Sequence, residues 1–481
     1  MPASVIPQQR LQLTLADKKH SPAPVQVRFE FAPDVAETGR PGKAAGDLLT
    51  LGDPASMQII VSLGVTEKAN AEAFRKAGGA LGKWLIASPV TEADLDLGAV
   101  DALGTPGGTA ALLEGLRLGA YRFTLYKKAD EESKPVNVFL RGEPTTGKAA
   151  DLLNRVQILT DAVILAREWS HEPANVINPV SLADRAFELA KQTGLKCTIL
   201  DEKALAAMNA GAILAVGVGS QTPSRLIVLE YRGHNASTDA KPVVLVGKAL
   251  TFDTGGYSLK DTTNIQGMKY DKCGGLDVLA ALYAAARLKV KMPVIGVIGA
   301  AENMISSRAY RPDDIITTLS GKTVEIVSTD AEGRLVLADS LTYAQQNFQP
   351  RAIVDLATLT GGVVVALGRI RAGLFSNSEE LARQLFDAGE KTGERLWQLP
   401  LDDEYLQATK GDDADLKNSG GREGHAILGA IFLKQFIEND IPWAHLDIAG
   451  LADSPKDLPY CQKGGTGFGV RLLLEYLETL A

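Results

Sequence analysis

The run STDAEGRLVLADSL, residues 328–341, sets Asp330 and Glu332 one residue apart, adds Gly333 and Arg334, and continues into an apolar stretch with helical spacing. Acids seldom stand beside buried elements unless a cation compensates them. A second polar region lies upstream. VGKALTFDTGGYSLK (246–260) carries Lys248, Asp253 and Lys260, and MKYDKCGG (268–275) carries Asp271. Asp253, Asp271, Asp330 and Glu332 bring about four negative charges, and Lys260 with Arg334 offsets only half of them. Two divalent ions would neutralise the carboxylates and leave Lys260 and Arg334 to meet an anion or a developing oxyanion. Neither segment contains histidine. The usual His-based zinc patterns are therefore absent, and an oxygen-rich site of this kind suits manganese, magnesium or zinc. Plainer readings also exist. Asp330 and Glu332 could cap a helix, Lys248 and Lys260 could be solvated strand ends, and Arg334 could simply pair with Glu332.

The elements that must position these groups read as α/β. At 481 residues the chain is long enough for two or three domains. Near the start, MQIIVSL (57–63) reads as a strand followed by a helix through about Trp84. GGTAALLEGLRLGAYRF (107–123) reads as a helix running into a strand, and VNVFL (136–140) as another strand. The segment from Lys148 to about Trp169 has helical spacing, and EPANVINP (172–179) breaks it. The expected organisation is an N-terminal α/β domain over 1–150, a linker helix over 151–171 and a larger α/β domain over 172–481. In the larger part TPSRLIVLEY (222–231), PVVLVGK (242–248), MPVIGVIGAAE (292–302), TVEIV (323–327), AIVDLAT (352–358) and WAHLDIAG (443–450) read as strands. Several are continuous apolar runs, as expected of strands covered by helices on both faces. That predicts a mixed central sheet in a three-layer αβα arrangement. Ligands of open α/β sheets gather beyond the carboxyl ends of strands, so the charged residues could converge on one crevice.

These residues resemble the leucyl aminopeptidase (cytosol aminopeptidase) family of dinuclear-metal peptidases, whose signature NTDAEGRL reads STDAEGRL here. The resemblance extends over VGKALTFDTGGYSLK, MKYDKCGG, DLATLTGG (355–362) and WAHLDIAG, and so over most of 170–475. It implies a metallo-exopeptidase releasing leucine and other apolar N-terminal residues, with a water or hydroxide bridging two metals as nucleophile. Asp253 and Glu332 would bridge both ions, Asp330 would complete one site, and Lys248 and Asp271 the other. Lys260 and Arg334 would be the catalytic pair, with a bicarbonate at Arg334 shuttling the proton. Met268, Thr360, Gly362 and Ala452 are candidates for the side-chain pocket. Manganese or zinc is the expected metal, with magnesium or cobalt as substitutes, and the family implies a homohexamer acting on peptides. Lys248 must be a neutral amine to donate a lone pair, which a nearby dication favours. The chain departs from the family at Ser328, at Ala249, at Lys272-Cys273 and at Leu276-Asp277, none of them a predicted ligand.

The net charge of −8 argues against a nucleic-acid partner. No apolar run approaches the ~18–20 residues of a membrane span, the start shows no apolar signal region, and the three cysteines are widely spaced. A cytoplasmic protein is expected. Three other readings remain: a DNA-binding regulator, a catalytically dead structural subunit, and a narrow dipeptidase. His445 is expected to be a hydrogen-bonded core histidine and Cys273 a buried thiol. GEPTTGKA (142–149) fits GxxxxGK but has alanine where a phosphate-binding loop needs Ser or Thr.

Overall fold

The computed structural model describes residues 6–17, 19–32, 41–53, 56–128, 134–144, 147–237 and 239–480. The chain divides into two compact units, Met1–Ile164 with Ser454–Gly464, and Leu165–Asp453 with Gly465–Ala481.

The first unit is built on strands β1 (Leu11–Leu15), β2 (Val25–Glu30), β3 (Leu48–Asp53), β4 (Ser56–Ser62), β5 (Glu92–Asp96) and β6 (Val136–Arg141). They form one sheet in the order β1-β6-β5-β2-β4-β3, parallel except for the β3–β4 hairpin. Two helices, Ala71–Ala87 and Gly108–Ala120, pack against each other through glycines. A Cβ on Gly78 would stand 2.0 Å from the carbonyl oxygen of Leu112, and one on Gly115 would stand 1.9 Å from that of Arg75. Such an approach of backbones tolerates no side chain. The strand expected to run on directly from the second helix is not formed: residues 121–124 take no regular structure. The GxxxxGK run lies partly outside the described residues, at positions 145 and 146. The amide of Ala149, at the start of the following helix, donates to Glu143 Oε2 at 2.7 Å, an acid where a phosphate would have to sit.

The second unit contains β7 (Lys196–Leu200), β8 (Arg225–Tyr231), β9 (Val243–Asp253), β10 (Val294–Asn303), β11 (Ile315–Thr317), β12 (Thr323–Glu325), β13 (Ala352–Ala357), β14 (Ala372–Ser376), β15 (Leu396–Gln398), β16 (Leu416–Lys417) and β17 (Trp443–Asp447). Eight of them make a mixed sheet in the order β15-β14-β17-β13-β9-β10-β8-β7. Its four central strands β17, β13, β9 and β10 run parallel, so their carboxyl ends lie along one edge. The second unit is thus the α/β arrangement expected, a mixed sheet with helices packed on it.

Several strands are shorter than the sequence reading, such as TVEIV, which ends at Glu325, and one strand that bears on the site is longer. PVVLVGK does not end at Lys248; the strand runs on to Asp253. Its alternation turns Val244, Val246, Lys248 and Leu250 to one face. The helix Gly333–Asn347 packs there, sharing a buried cluster with Val244, Val246 and Leu250. Lys248 is thereby committed to the interior rather than to a solvated strand end.

Candidate active site

Asp253 closes β9, and the helix Gly333–Asn347 begins immediately after Glu332, whose carbonyl accepts from Leu335 and Val336 at 3.0 and 3.1 Å. Gly333 is the signature residue that lets the helix approach the strand. A Cβ there would lie 2.7 Å from Lys248 Cε and Nζ. On the sheet's other face the helix Cys273–Leu288 packs against β9 and β13, and Asp271 directly precedes its N-cap residue Lys272.

Six of the seven residues predicted to bind metal or react are joined by direct contacts. Lys248 Nζ lies 2.8 Å from Asp271 Oδ1, 2.9 Å from Glu332 Oε1 and 2.8 Å from the carbonyl oxygen of Thr358. Lys260 Nζ donates to both Asp253 Oδ2 and Asp330 Oδ1. Oxygens of Asp253, Asp330 and Glu332 all lie within 4.8 Å of one another. Arg334 stands slightly apart: it is 2 % exposed, its Nη1 donates to the Asn418 carbonyl at 2.8 Å, and its Nε has no partner. The ion pair of Glu332 goes to Lys248, not to Arg334.

Charge crowding marks the site. Burial pushes the Asp271 carboxyl up to about 7, and the charges of Glu332 and Asp253 add to this against the pull of Lys248. Asp330 is pushed up to about 6 by burial and by Glu332. Burial also opposes ionisation of Glu332, but Lys248 and Lys260 overcome it and hold this carboxyl at about 2. Both lysines are held above the ordinary range, since the carboxylates around them outweigh burial. Asp271 Oδ2 is buried and accepts no hydrogen bond. A buried carboxylate oxygen without a donor costs free energy that a cation would recover. The donor set fits divalent ions on that ground, with carboxylates enough to bridge two.

Further polar side chains at the strand ends support these groups and the loop after β13; Thr358 lies in DLATLTGG and Asp447 in WAHLDIAG, while Asn303 stands outside every segment quoted above. Asn303, at the end of β10, donates through Nδ2 to Asp253 Oδ1 at 2.7 Å and to the Thr329 carbonyl at 3.0 Å. The Thr358 hydroxyl, just beyond β13, donates to Asp271 Oδ1 at 2.6 Å. Asp447, closing β17, accepts from the Thr360 hydroxyl at 2.6 Å and from the Leu359 amide at 3.2 Å. The segments of Thr358 and Asp447 are quoted above without a role for either, and Asn303 was missed because a lone asparagine at a strand end is ordinary. The one available signal is that all three follow apolar strands of the parallel centre.

Of the four pocket candidates, Thr360 is buried and caps the helix Gly361–Leu367. Gly362 abuts His425, since a Cβ on it would stand 2.9 Å from His425 Cβ. Ala452 is buried, its carbonyl 3.9 Å from Cys273 Sγ, and Met268 opens a half-buried turn three residues before Asp271. Cys273 is a buried thiol, raised by burial well above its ordinary range. His445 is buried in the core with Nδ1 2.6 Å from Asp355 Oδ1, as expected of a structural histidine.

Comparison with known proteins identifies the family. Residues 164–474 match the catalytic-domain model of the cytosol aminopeptidase family, and residues 38–130 match its N-terminal-domain model. Probable cytosol aminopeptidases of Syntrophotalea carbinolica and Geobacter sulfurreducens are each 44% identical to this chain. The matches cover 89% and 90% of it and 86% and 87% of those relatives. Among solved structures, the bottromycin maturation enzyme BotP in complex with Mn superposes with a TM-score of 0.87 at 33% identity, covering 95% of this chain and 99% of that one. A mutant of tomato leucine aminopeptidase gives 0.86 at 28% identity, covering 98% and 97%. With the signature carboxylates gathered at the carboxyl edge of its sheet, the chain belongs to the cytosol aminopeptidase family and is a metal-dependent aminopeptidase acting on peptides.

Proposed function

We propose that this enzyme releases leucine and other apolar N-terminal residues, using two divalent ions held by Lys248, Asp253, Asp271, Asp330 and Glu332. The observation that carries the reading is the convergence of three carboxylates within 4.8 Å, beside a fourth whose buried Oδ2 has no donor. When bound, the ions would supply Lewis acidity and an acidified water as nucleophile. Lys248 must surrender its proton to act as a ligand, so loading should release protons and weaken as pH falls. Lys260 would donate to the scissile carbonyl oxygen as negative charge develops there. Arg334 stays protonated at working pH even though burial lowers it to about 10, so it cannot take a proton itself. Its buried, unpartnered Nε supports an oxyanion such as bicarbonate at that edge of the guanidinium. The apolar Met268 and Ala452 with the glycine at 362 support an apolar side-chain pocket.

The test is release of p-nitroaniline from leucine p-nitroanilide by protein stripped with chelator and reloaded with manganese or zinc, beside Glu332→Ala. Activity that returns with metal and is lost in the variant supports the reading. An intact fold that leaves leucine p-nitroanilide, Leu-Gly and Cys-Gly untouched under every metal would sink it. Bicarbonate should accelerate the wild type and leave Arg334→Ala unchanged. A homohexamer acting in the cytoplasm completes the proposal, and sedimentation equilibrium at micromolar protein tests the assembly.

A further inference from the structure

Asn418 belongs to no motif, yet it is fully buried and every polar group it owns is used. It follows β16, whose residues Leu416 and Lys417 pair in parallel with Val324 and Glu325 of β12. The Asn418 amide extends that ladder, donating to the Glu325 carbonyl at 3.0 Å. The pairing delivers its side chain to the loop that carries Asp330 and leads into Glu332. Oδ1 accepts from the Val327 amide at 2.9 Å and the Ser328 amide at 3.2 Å. Nδ2 donates to the Ser328 carbonyl at 2.6 Å and reaches the Ala331 carbonyl at 3.4 Å. Its orientation is fixed by its partners: turning the amide over would set oxygen against two carbonyls and nitrogen against two N–H groups. Its own carbonyl accepts from Arg334 Nη1 at 2.8 Å.

We propose that Asn418 is a positioning residue for the reaction. One residue braces the loop bearing Asp330 and Glu332 and also fixes the guanidinium of Arg334, so ligands and catalytic cation share one register. The idea rests on the two-ion reading of the site. The physical reason is that a turn of four or five residues does not by itself hold two carboxylates against mutual repulsion. An amide reading both N–H and C=O groups of that turn supplies the missing restraint without adding charge. Removing it takes the partner from the Val327 and Ser328 amides and the Ser328 carbonyl at a half-buried turn, and the loop loses the restraint that fixed its register. Partners of this kind, outside the ligands themselves, typically cost 10–100-fold in metal affinity or activity when lost.

The test uses the full-length protein as wild type, Asn418→Ala and Asn418→Ser. Calorimetric titration of chelator-stripped protein with manganese alone is read beside kcat and KM for leucine p-nitroanilide and the thermal midpoint. The alanine variant should bind manganese ~10–100-fold more weakly, and kcat at saturating manganese should fall by a similar factor, with KM within about threefold. The serine variant, keeping one donor and one acceptor, should fall between; it also carries the test if the alanine variant does not fold. Manganese affinity and kcat within about twofold of wild type in a folded variant would overturn the proposal. So would a loss of kcat that follows the thermal midpoint while manganese affinity holds. A wild type that neither binds manganese nor cleaves would instead overturn the two-ion reading itself.

Discussion

Asp94 in the first unit and Asp271 in the second are both buried carboxylates beside a cation, 2 % and 6 % exposed. Asp94 accepts from the Ala23 amide at 3.0 Å, from Gln26 Nε2 at 2.9 Å and from His20 Nε2 at 3.0 Å, and it pairs with Arg141 at 2.6 Å. Burial works to raise its pKa, but these donors outweigh it and hold the group below the usual range. Asp271 has Lys248 and Thr358 on one oxygen and nothing on the other, and it is pushed up to about 7. A carboxylate with all its donors serves the fold. One left short of donors among like charges stores free energy that a bound cation releases.

That contrast can be broken or sharpened by experiment. Glu332→Ala strikes where it is strongest, removing the group that touches Lys248. It should lower kcat/KM for leucine p-nitroanilide by about 10³-fold or more, beyond the ~10²–10³ of a single oxyanion donor. Lys260→Met should cost ~10²–10³ in kcat with KM little changed. The same change should lower the thermal midpoint of chelated protein more than that of manganese-loaded protein, because without metal the lysine is the cation between Asp253 and Asp330. Equal shifts in the two states would contradict this account.

Stability against pH gives a third test. The Asp271 carboxyl lies at about 7 in the folded chain against 3.8 as its ordinary value, so the folded state binds its proton more tightly. Its contribution is therefore fully present below about pH 4 and lost as pH rises through about 7. Asp330 acts in the same sense up to about 6. His171 opposes both, since burial holds it at about 4 and its contribution is lost as pH falls from 6.5. The clean measurement is a difference: urea midpoints of chelated wild type and Asp271→Asn at pH 4.5 and pH 7.5. The wild type should lose more stability, or gain less, than the variant on going to the higher pH, and parallel profiles would remove Asp271 from the account. The smallest effect on activity is expected at the other pole of the comparison. Asp94→Asn should cost ~1–3 kcal/mol of stability by mismatching its donors, while kcat/KM stays within about twofold. A large fall in activity would mean that the satisfied carboxylate is not merely structural.

The strands of the parallel centre were legible because apolar runs of Val, Ile, Leu and Ala need no partner information to be read as doubly covered strands. Short or half-exposed elements were not. β1 and β2 alternate buried with exposed residues, β5 is acidic at both ends, β3 is largely exposed, and β15 and β16 have three and two residues. The continuation of β9 past Lys248 was hidden because a charged lysine interrupting an apolar run looks like a strand end, although Ala249 and Leu250 resume the run. Only the helix Gly333–Asn347 packed on that face shows that the lysine turns inward.

By itself the sequence determined which charges must be compensated, since four acids and two free cations in two short segments leave the same deficit in any fold that buries them. It also determined the family, because STDAEGRL keeps residue type and spacing together. The tertiary structure alone decided how the compensation is arranged. Lys248 lies between Asp271 and Glu332, and Lys260 between Asp253 and Asp330. Asn303, Thr358 and Asn418 hold the acids or their loop from three different strand ends. The reason is physical: a hydrogen bond between residues ninety positions apart leaves no periodicity in the chain, and only the register of neighbouring strands brings its two ends together.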